Sequence, residues 1–282
     1  MSDQQPAPYG GVPAITERRK RVRIHHLQDM KDRGEKWAML TSYDMYTAAI
    51  FDAAGIPVLL VGDSASNNVF GNETTLPVTV DELIPLVRAV TRSAQHSLVI
   101  ADLPFGSYQG SAEQCFHTAV RFMKEANAHA VKIEGGEGIA PQVELLSRAG
   151  IPVMVHIGFT PQSEHSLGGY RVQGRVGGAQ KLISTAKILE AAGAFAVLIE
   201  MVPGDVAAEV TSQLTIPTVG IGAGSGCDAQ VLVWQDLAGL RTGNLPRFVK
   251  QYADLHSVLT QAAVDFAGDV AGGSFPGPQH AF

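Results

Sequence analysis

The 282-residue sequence predicts a single (β/α)8 barrel. Short apolar runs alternate with stretches of helical spacing from Trp37 onward, the mark of a parallel sheet crossed by helices. Eight such runs occur, in a chain whose length suits a barrel of roughly 250 residues as well as it suits two smaller domains. Three of the runs open on a proline after a small-residue turn, at Pro57, Pro152 and Pro217.

Taken in order, residues 1–35 read as a leader and basic arm. The first 14 or so are rich in Gln, Pro and Gly and read as disordered, and Arg18–Arg23 carries five cations in six positions. That run is taken as a solvated arm against a neighbouring subunit rather than a nucleic-acid contact. Residues 36–282 form the barrel domain with a C-terminal extension. Strands are expected at Trp37–Ser42, Pro57–Val61, Ser97–Ala101, Ala130–Ile133, Pro152–His156, Ala196–Ile199, Pro217–Ile221 and Gln230–Trp234. Helical spacing marks Tyr43–Ala54, Val80–Ala94, Ala112–Ala126, Pro141–Ala149, Ala179–Ala192 and Asp205–Leu214. A terminal helical region is expected over Val249–Ala267, followed by a loop over Gly272–Phe282.

Composition narrows the class. Hydrophobic residues make up 45% and charged residues 17%, against about 25% charged in an average chain, which suggests a surface partly buried by self-association. A net charge of −6 argues against generic nucleic-acid binding. No apolar run approaches the roughly 18 residues of a membrane span, and the N-terminus lacks a signal peptide's apolar core. Cys115 and Cys227 are too few for a disulfide framework and read as unpaired, inert thiols. These features describe a cytoplasmic, oligomeric enzyme.

Barrel enzymes work at the carboxyl ends of their strands, so the strand exits carry the functional reading. Acids follow strands two, three, four and six: Asp63, Asp102, Glu134 and Glu200. Any one of them is as readily a turn or cap residue. Four at one end of a barrel are not required by structure. Neighbouring strands lie about 4.8 Å apart, so Asp63, Asp102 and Glu134 can meet around one point. Like charges that close need a cation between them, and oxygen ligands without a Cys or His cluster favour Mg²⁺ over zinc. Lys132 shares a face with Glu134 and offers a positive group to an anionic substrate, unless its stem only snorkels past the sheet. Glu200, across the mouth from strand two, suits a base facing a metal-bound substrate. Ser64 reads as a helix cap or as a hydroxyl on the substrate carboxylate, and His156 as a structural histidine or a substrate contact. The glycine run 220–226 fails the dinucleotide pattern, because Ser225 and Cys227 stand where a glycine is needed. It reads as tight packing near the mouth.

Several blocks together resemble the ketopantoate hydroxymethyltransferase family. They are Val-Gly-Asp-Ser (61–64), Thr-Leu-Pro-Val-Thr (75–79), Ala-Asp-Leu-Pro-Phe (101–105) and Val-Lys-Ile-Glu-Gly-Gly (131–136). His-Ile-Gly (156–158), Thr-Pro-Gln-Ser (160–163), Gly-Tyr-Arg-Val-Gln-Gly (169–174), Gly-Ile-Gly-Ala-Gly (220–224) and Phe-Pro-Gly (275–277) follow in the same order. The resemblance implies a barrel of the phosphoenolpyruvate/pyruvate type, a Mg²⁺ requirement and a homodecamer. It implies conversion of 3-methyl-2-oxobutanoate, 5,10-methylenetetrahydrofolate and water to 2-dehydropantoate, in pantothenate biosynthesis. Residue by residue, it puts Asp63 and Asp102 on the metal with Glu134 completing its shell. It puts Ser64, Asp63, Asp102 and Lys132 on the oxo acid, and makes Glu200 the proton acceptor.

The sequence departs from the family pattern at Val176-Gly177-Gly178, at Ala229, and at Glu164 and His165. The long Gly-rich loop from Phe159 to Gly178, with Arg171 and Arg175, reads as a segment able to close over the site. A 2-oxo-acid lyase or phosphonopyruvate-type enzyme of the same barrel class is disfavoured, because no Lys-Lys-Cys-Gly-His-like loop occurs. A silent barrel used for assembly would not need the set Asp63, Asp102, Lys132, Glu134 and Glu200.

Overall fold

A computed structural model describes residues 20–175 and 177–282. The leader, Arg18, Arg19 and Val176 lie outside the described residues. Eight parallel strands close into a barrel in sequence order: β1 (Trp37–Thr41), β2 (Val58–Val61), β3 (Leu98–Asp102), β4 (Ala130–Glu134), β5 (Val153–Gly158), β6 (Ala196–Glu200), β7 (Thr218–Ile221) and β8 (Ala229–Leu232). The prolines at 57, 152 and 217 stand one place before their strands. They lack an N–H for the ladder, but their carbonyls accept from Leu98, Val131 and Val197 of the next strand.

Helix α1 (Ile24–Asp32) precedes the barrel; α2 (Met45–Ala53), the short α3 (Ala65–Asn68) and α4 (Val80–Ser93) follow β1 and β2. Next come α5 (Ala112–Glu125), α6 (Ala140–Arg148), α7 (Glu164–Leu167), α8 (Ala179–Ala191) and α9 (Gly204–Gln213). The chain ends with α10 (Trp234–Leu237) and α11 (Leu255–Gly272). Capping explains the starts: Asp44 accepts from the Tyr46 and Thr47 amides, and Thr79 and Glu82 form a reciprocal box on α4.

Three expectations shift. Residues 24–32, read as part of an arm, form α1, and its fully buried Leu27 joins the core cluster with Trp37, Leu98 and Ala130 at the strand beginnings. Trp234 leaves the eighth strand, which ends at Leu232, and starts α10. The terminal helix runs Leu255–Gly272 rather than 249–267, because Asp254 caps it through the Ser257 amide. No helix separates β7 from β8, in keeping with their tight spacing.

The chain divides into two compact units, Met1–Val231 and Leu232–Phe282. In the second, α11 buries none of its 18 residues and exposes Val258, Leu259, Val264, Phe266 and Val270. No described helix is long and apolar enough to cross a membrane.

Strand parity positions the site. Leu98 and Ile100, Ala130, Met154, and Ala196 and Leu198 belong to one core cluster inside the barrel. Their register pairs run Ile100–Ala130, Met154–Ala196 and His156–Leu198. Side chains alternate between faces, so the next inward positions along the same strands are Asp102, Lys132 and Glu134, His156, and Glu200. Apolar layers fill the lower barrel and charge caps it.

Candidate active site

At the mouth, Lys132 is the hub. It pairs across the ladder with Asp102, and its Nζ lies 2.8 Å from Asp102 Oδ1. The same Nζ lies 3.5 Å from Glu134 Oε1 and 3.3 Å from His156 Nδ1. His156 bridges two acids, with Nδ1 3.1 Å from Glu134 Oε1 and Nε2 3.3 Å from Glu200 Oε2. All but Glu200 are at least nine-tenths buried.

Asp63 enters from the loop after β2. Its amide donates to Asp102 Oδ2 at 2.9 Å, which ties the exits of β2 and β3 together. Gly62 permits this approach, since a Cβ there would stand 2.7 Å from Ser64 Oγ and 3.3 Å from Asp102 Oδ2. Ser64 sits at the start of α3 but its side chain caps nothing; Oγ instead meets the Tyr43 hydroxyl at 2.7 Å. The cap alternative for Ser64 is thereby corrected: the hydroxyl faces the mouth.

Gln162, in the turn after β5, links the carboxylates. Its backbone amide donates to Glu134 Oε2 at 3.1 Å, and its Nε2 donates to Asp63 Oδ2 at 3.0 Å. The Tyr108 hydroxyl donates to Gln162 Oε1 at 2.7 Å. Sequence reading gave neither residue a role. Gln162 stood inside a quoted block, directly after a strand exit, which was the available signal; Tyr108 had none.

Burial and crowding set the charges. Asp63 is pushed up by burial and then by Glu134 and Asp102. Asp102 rises mainly through burial, against the pull of Lys132. Glu134 goes the other way: burial would raise it, but His156 and Lys132 hold it low. Burial works against the cations of Lys132 and His156, yet the surrounding carboxylates keep both pKa values above their ordinary ranges.

Four carboxylates, Asp63, Asp102, Glu134 and Glu200, therefore face two cations. The two uncompensated negative charges and the oxygen donors fit a hard dication. Among the described residues, however, no three His, Cys, Asp or Glu groups are preassembled to hold a metal. Lys132 occupies the space between Asp102 and Glu134, and both Glu134 oxygens already have partners. Asp63 and Asp102 are the better-placed donors, with Glu134 offering remaining lone pairs.

The glycine run after β7 packs rather than cradles. A Cβ on Gly224 would stand 2.9 Å from the Gly204 Cα, and one on Gly226 would stand 2.6 Å from the Ala208 Cβ. Cys115 and Cys227 are buried and free, and burial pushes the Cys115 thiol up to about 12.

The sequence profile described as ketopantoate hydroxymethyltransferase matches residues 21–278. The chain is 68% identical to a protein of Nocardioides sp. named 3-methyl-2-oxobutanoate hydroxymethyltransferase, over all of this chain and 98% of that one. Proteins of the same name from Saccharopolyspora erythraea and Mycobacterium leprae are 67% and 57% identical, covering 93% and 100% of those chains. Among solved structures, a phosphonopyruvate hydrolase complex with oxalate and Mg²⁺ aligns with a TM-score of 0.59 at 13% identity, over 92% of this chain and 93% of that one. A 2,3-dimethylmalate lyase of the PEP mutase/isocitrate lyase superfamily aligns at 0.57 and 15%, over 91% and 92%. At that distance the likeness speaks for the barrel alone.

Proposed function

The chain belongs to the ketopantoate hydroxymethyltransferase family, and from that premise we propose how its mouth residues work. The reaction forms 2-dehydropantoate from 3-methyl-2-oxobutanoate, in pantothenate biosynthesis. The observation that carries the mechanistic reading is the convergence of Asp63, Asp102, Glu134 and Glu200 around Lys132 and His156.

In this reading the one-carbon donor is 5,10-methylenetetrahydrofolate, with water completing the balance. Asp63 and Asp102 would hold Mg²⁺, and Glu134 would complete its shell. When bound, that ion draws electron density from the ketone and carboxylate oxygens of the oxo acid and so eases loss of the C3 proton. Lys132 and Ser64 hold the substrate carboxylate, the first by charge and the second by its hydroxyl. Glu200 takes the C3 proton, and the resulting carbon nucleophile attacks the donor's methylene carbon. His156 suits the base role less well, because both of its nitrogens already face carboxylates. Its Nε2 contact instead holds Glu200 Oε2 and leaves Oε1 for the substrate.

The same reading extends to a cytoplasmic homodecamer. The apolar positions of α11 that stand in water support self-association. Purified enzyme should consume 3-methyl-2-oxobutanoate only with a methylene-folate donor, lose activity to a chelator and regain it with Mg²⁺. Turnover that persists in excess chelator overturns the metal assignment.

A further inference from the structure

Beside Glu200 stands an aromatic pair that the mechanism above does not use. Gly158 ends β5 opposite Glu200 in register, with φ +90°. A Cβ there would press on the Glu200 carbonyl oxygen, so glycine lets the two strand ends meet. The next residue, Phe159, donates its amide to that carbonyl at 2.9 Å and is fully buried. On its ring lies Tyr170, centroids 4.7 Å apart and planes tilted by 34°. Tyr170 is nevertheless 65% exposed.

The loop carrying Tyr170 is fixed to the same strand exit. The Gln173 amide donates to the Met201 carbonyl at 2.9 Å, and the Gln173 side chain donates to the Arg171 carbonyl at 2.9 Å. Among the described residues of the barrel unit, the other exposed aromatic rings are Tyr46, Phe70 and Phe105. Tyr170 alone of the four is backed by a buried ring beside the proposed base. Arg171 and Arg175 follow it, both exposed, and neither forms an ion pair among the described residues.

We infer that Tyr170 is the stacking platform for the flat bicyclic ring of the one-carbon donor, with Arg171 and Arg175 receiving its anionic tail. This rests on the folate-donor reading above. A ring supported from behind and open in front stacks a heteroaromatic face at little ordering cost. Its place beside Glu200 brings the donor's methylene carbon near the carbon that loses its proton. Guanidinium groups on an exposed loop suit carboxylates carried on a flexible tail.

The test is calorimetric titration of the full-length protein with tetrahydrofolate and, separately, with tetrahydropterin, which lacks the tail. Tyr170→Phe should bind both as wild type does. Tyr170→Ala should weaken both by about tenfold or more, the size of one base–aromatic stack. The double variant Arg171→Ala/Arg175→Ala should weaken tetrahydrofolate alone, with an effect that shrinks as salt is added. Binding of 3-methyl-2-oxobutanoate should be unchanged in all three. Wild-type affinity for tetrahydropterin in Tyr170→Ala overturns the platform. So does a loss that coincides with a change of assembly in light scattering, because Tyr170 would then face a second copy of the chain. Wild-type protein that binds neither pterin overturns the donor reading itself.

Discussion

Asp52 and Asp102 are each 2% exposed, and they stand at opposite ends of the barrel. Asp52, at the end of α2, receives four hydrogen bonds below β3, from the amides of Gln95, His96 and Ser97 and from the Ser97 hydroxyl. Burial there is shallow, and those donors outweigh it, so the carboxyl is held low. Asp102 lies deeper and has one amide donor and one ammonium; burial wins and its pKa rises. The same residue type is thus ionised comfortably at the floor and with difficulty at the mouth. Floor carboxylates are committed to the backbone, while mouth carboxylates keep lone pairs for something else.

The strongest way to break that contrast is to neutralise each carboxylate in turn. Asp102→Asn should lower turnover about 10³-fold or more, because a metal's charge stabilisation is worth several kcal/mol. Its melting temperature should hold or rise, since a crowded site loses a negative charge. Asp52→Asn should do the reverse, keeping kcat but losing about 2 kcal/mol of stability, as an amide NH₂ is set against N–H donors. That corresponds to a fall in Tm of about 4–8 °C. An Asp52 variant that loses turnover at unchanged Tm would dissolve the division between the two ends.

Glu200→Gln sharpens the division within the mouth. It keeps the shape but cannot accept a proton, and loss of a general base costs about 10² to 10⁴ in rate. NMR in deuterated water should show the substrate's C3 hydrogen exchanging with wild type and not with the variant, while calorimetry shows the oxo acid still bound. Exchange at the wild-type rate would move the base elsewhere.

The smallest effect belongs to the floor. His129 accepts the Val99 amide at 2.9 Å through Nδ1, and burial, then Arg21 and Arg23, lower its pKa to about 4. Below about 6.5 the unfolded chain takes a proton that the folded chain refuses. Its contribution to stability is therefore complete above about 6.5 and lost as pH falls towards 4. Denaturant titrations should show this slope, and His129→Asn, whose Oδ1 can accept the same amide, should flatten it.

Sequence pattern exposed most of the barrel because both faces of its strands are buried, which leaves short apolar runs between turns and helices. The acids at strand ends were legible for the same reason, since charge directly after an apolar run interrupts the pattern. Helix α1 was not legible. One buried residue, Leu27, is all that its nine contribute to the core, and the cations before it resemble a solvated arm. The choice between roles for His156 and Ser64 was also closed to sequence. It depends on contacts with Glu134, Glu200 and Tyr43, which lie 21 to 44 positions away. The Gln162 amide reaches Asp63 across 99 positions, a separation no local pattern encodes.

Because core and site share one alternation along β4, they cannot be edited separately. Deleting one residue early in that strand would turn Lys132 and Glu134 into the helix layer and bring Val131 and Ile133 to the mouth. Replacement of Lys132 or Glu134 in place leaves the barrel's interior rows intact. For anyone redesigning the pocket, substitution libraries at the strand exits are open, whereas length changes belong in the loops beyond them.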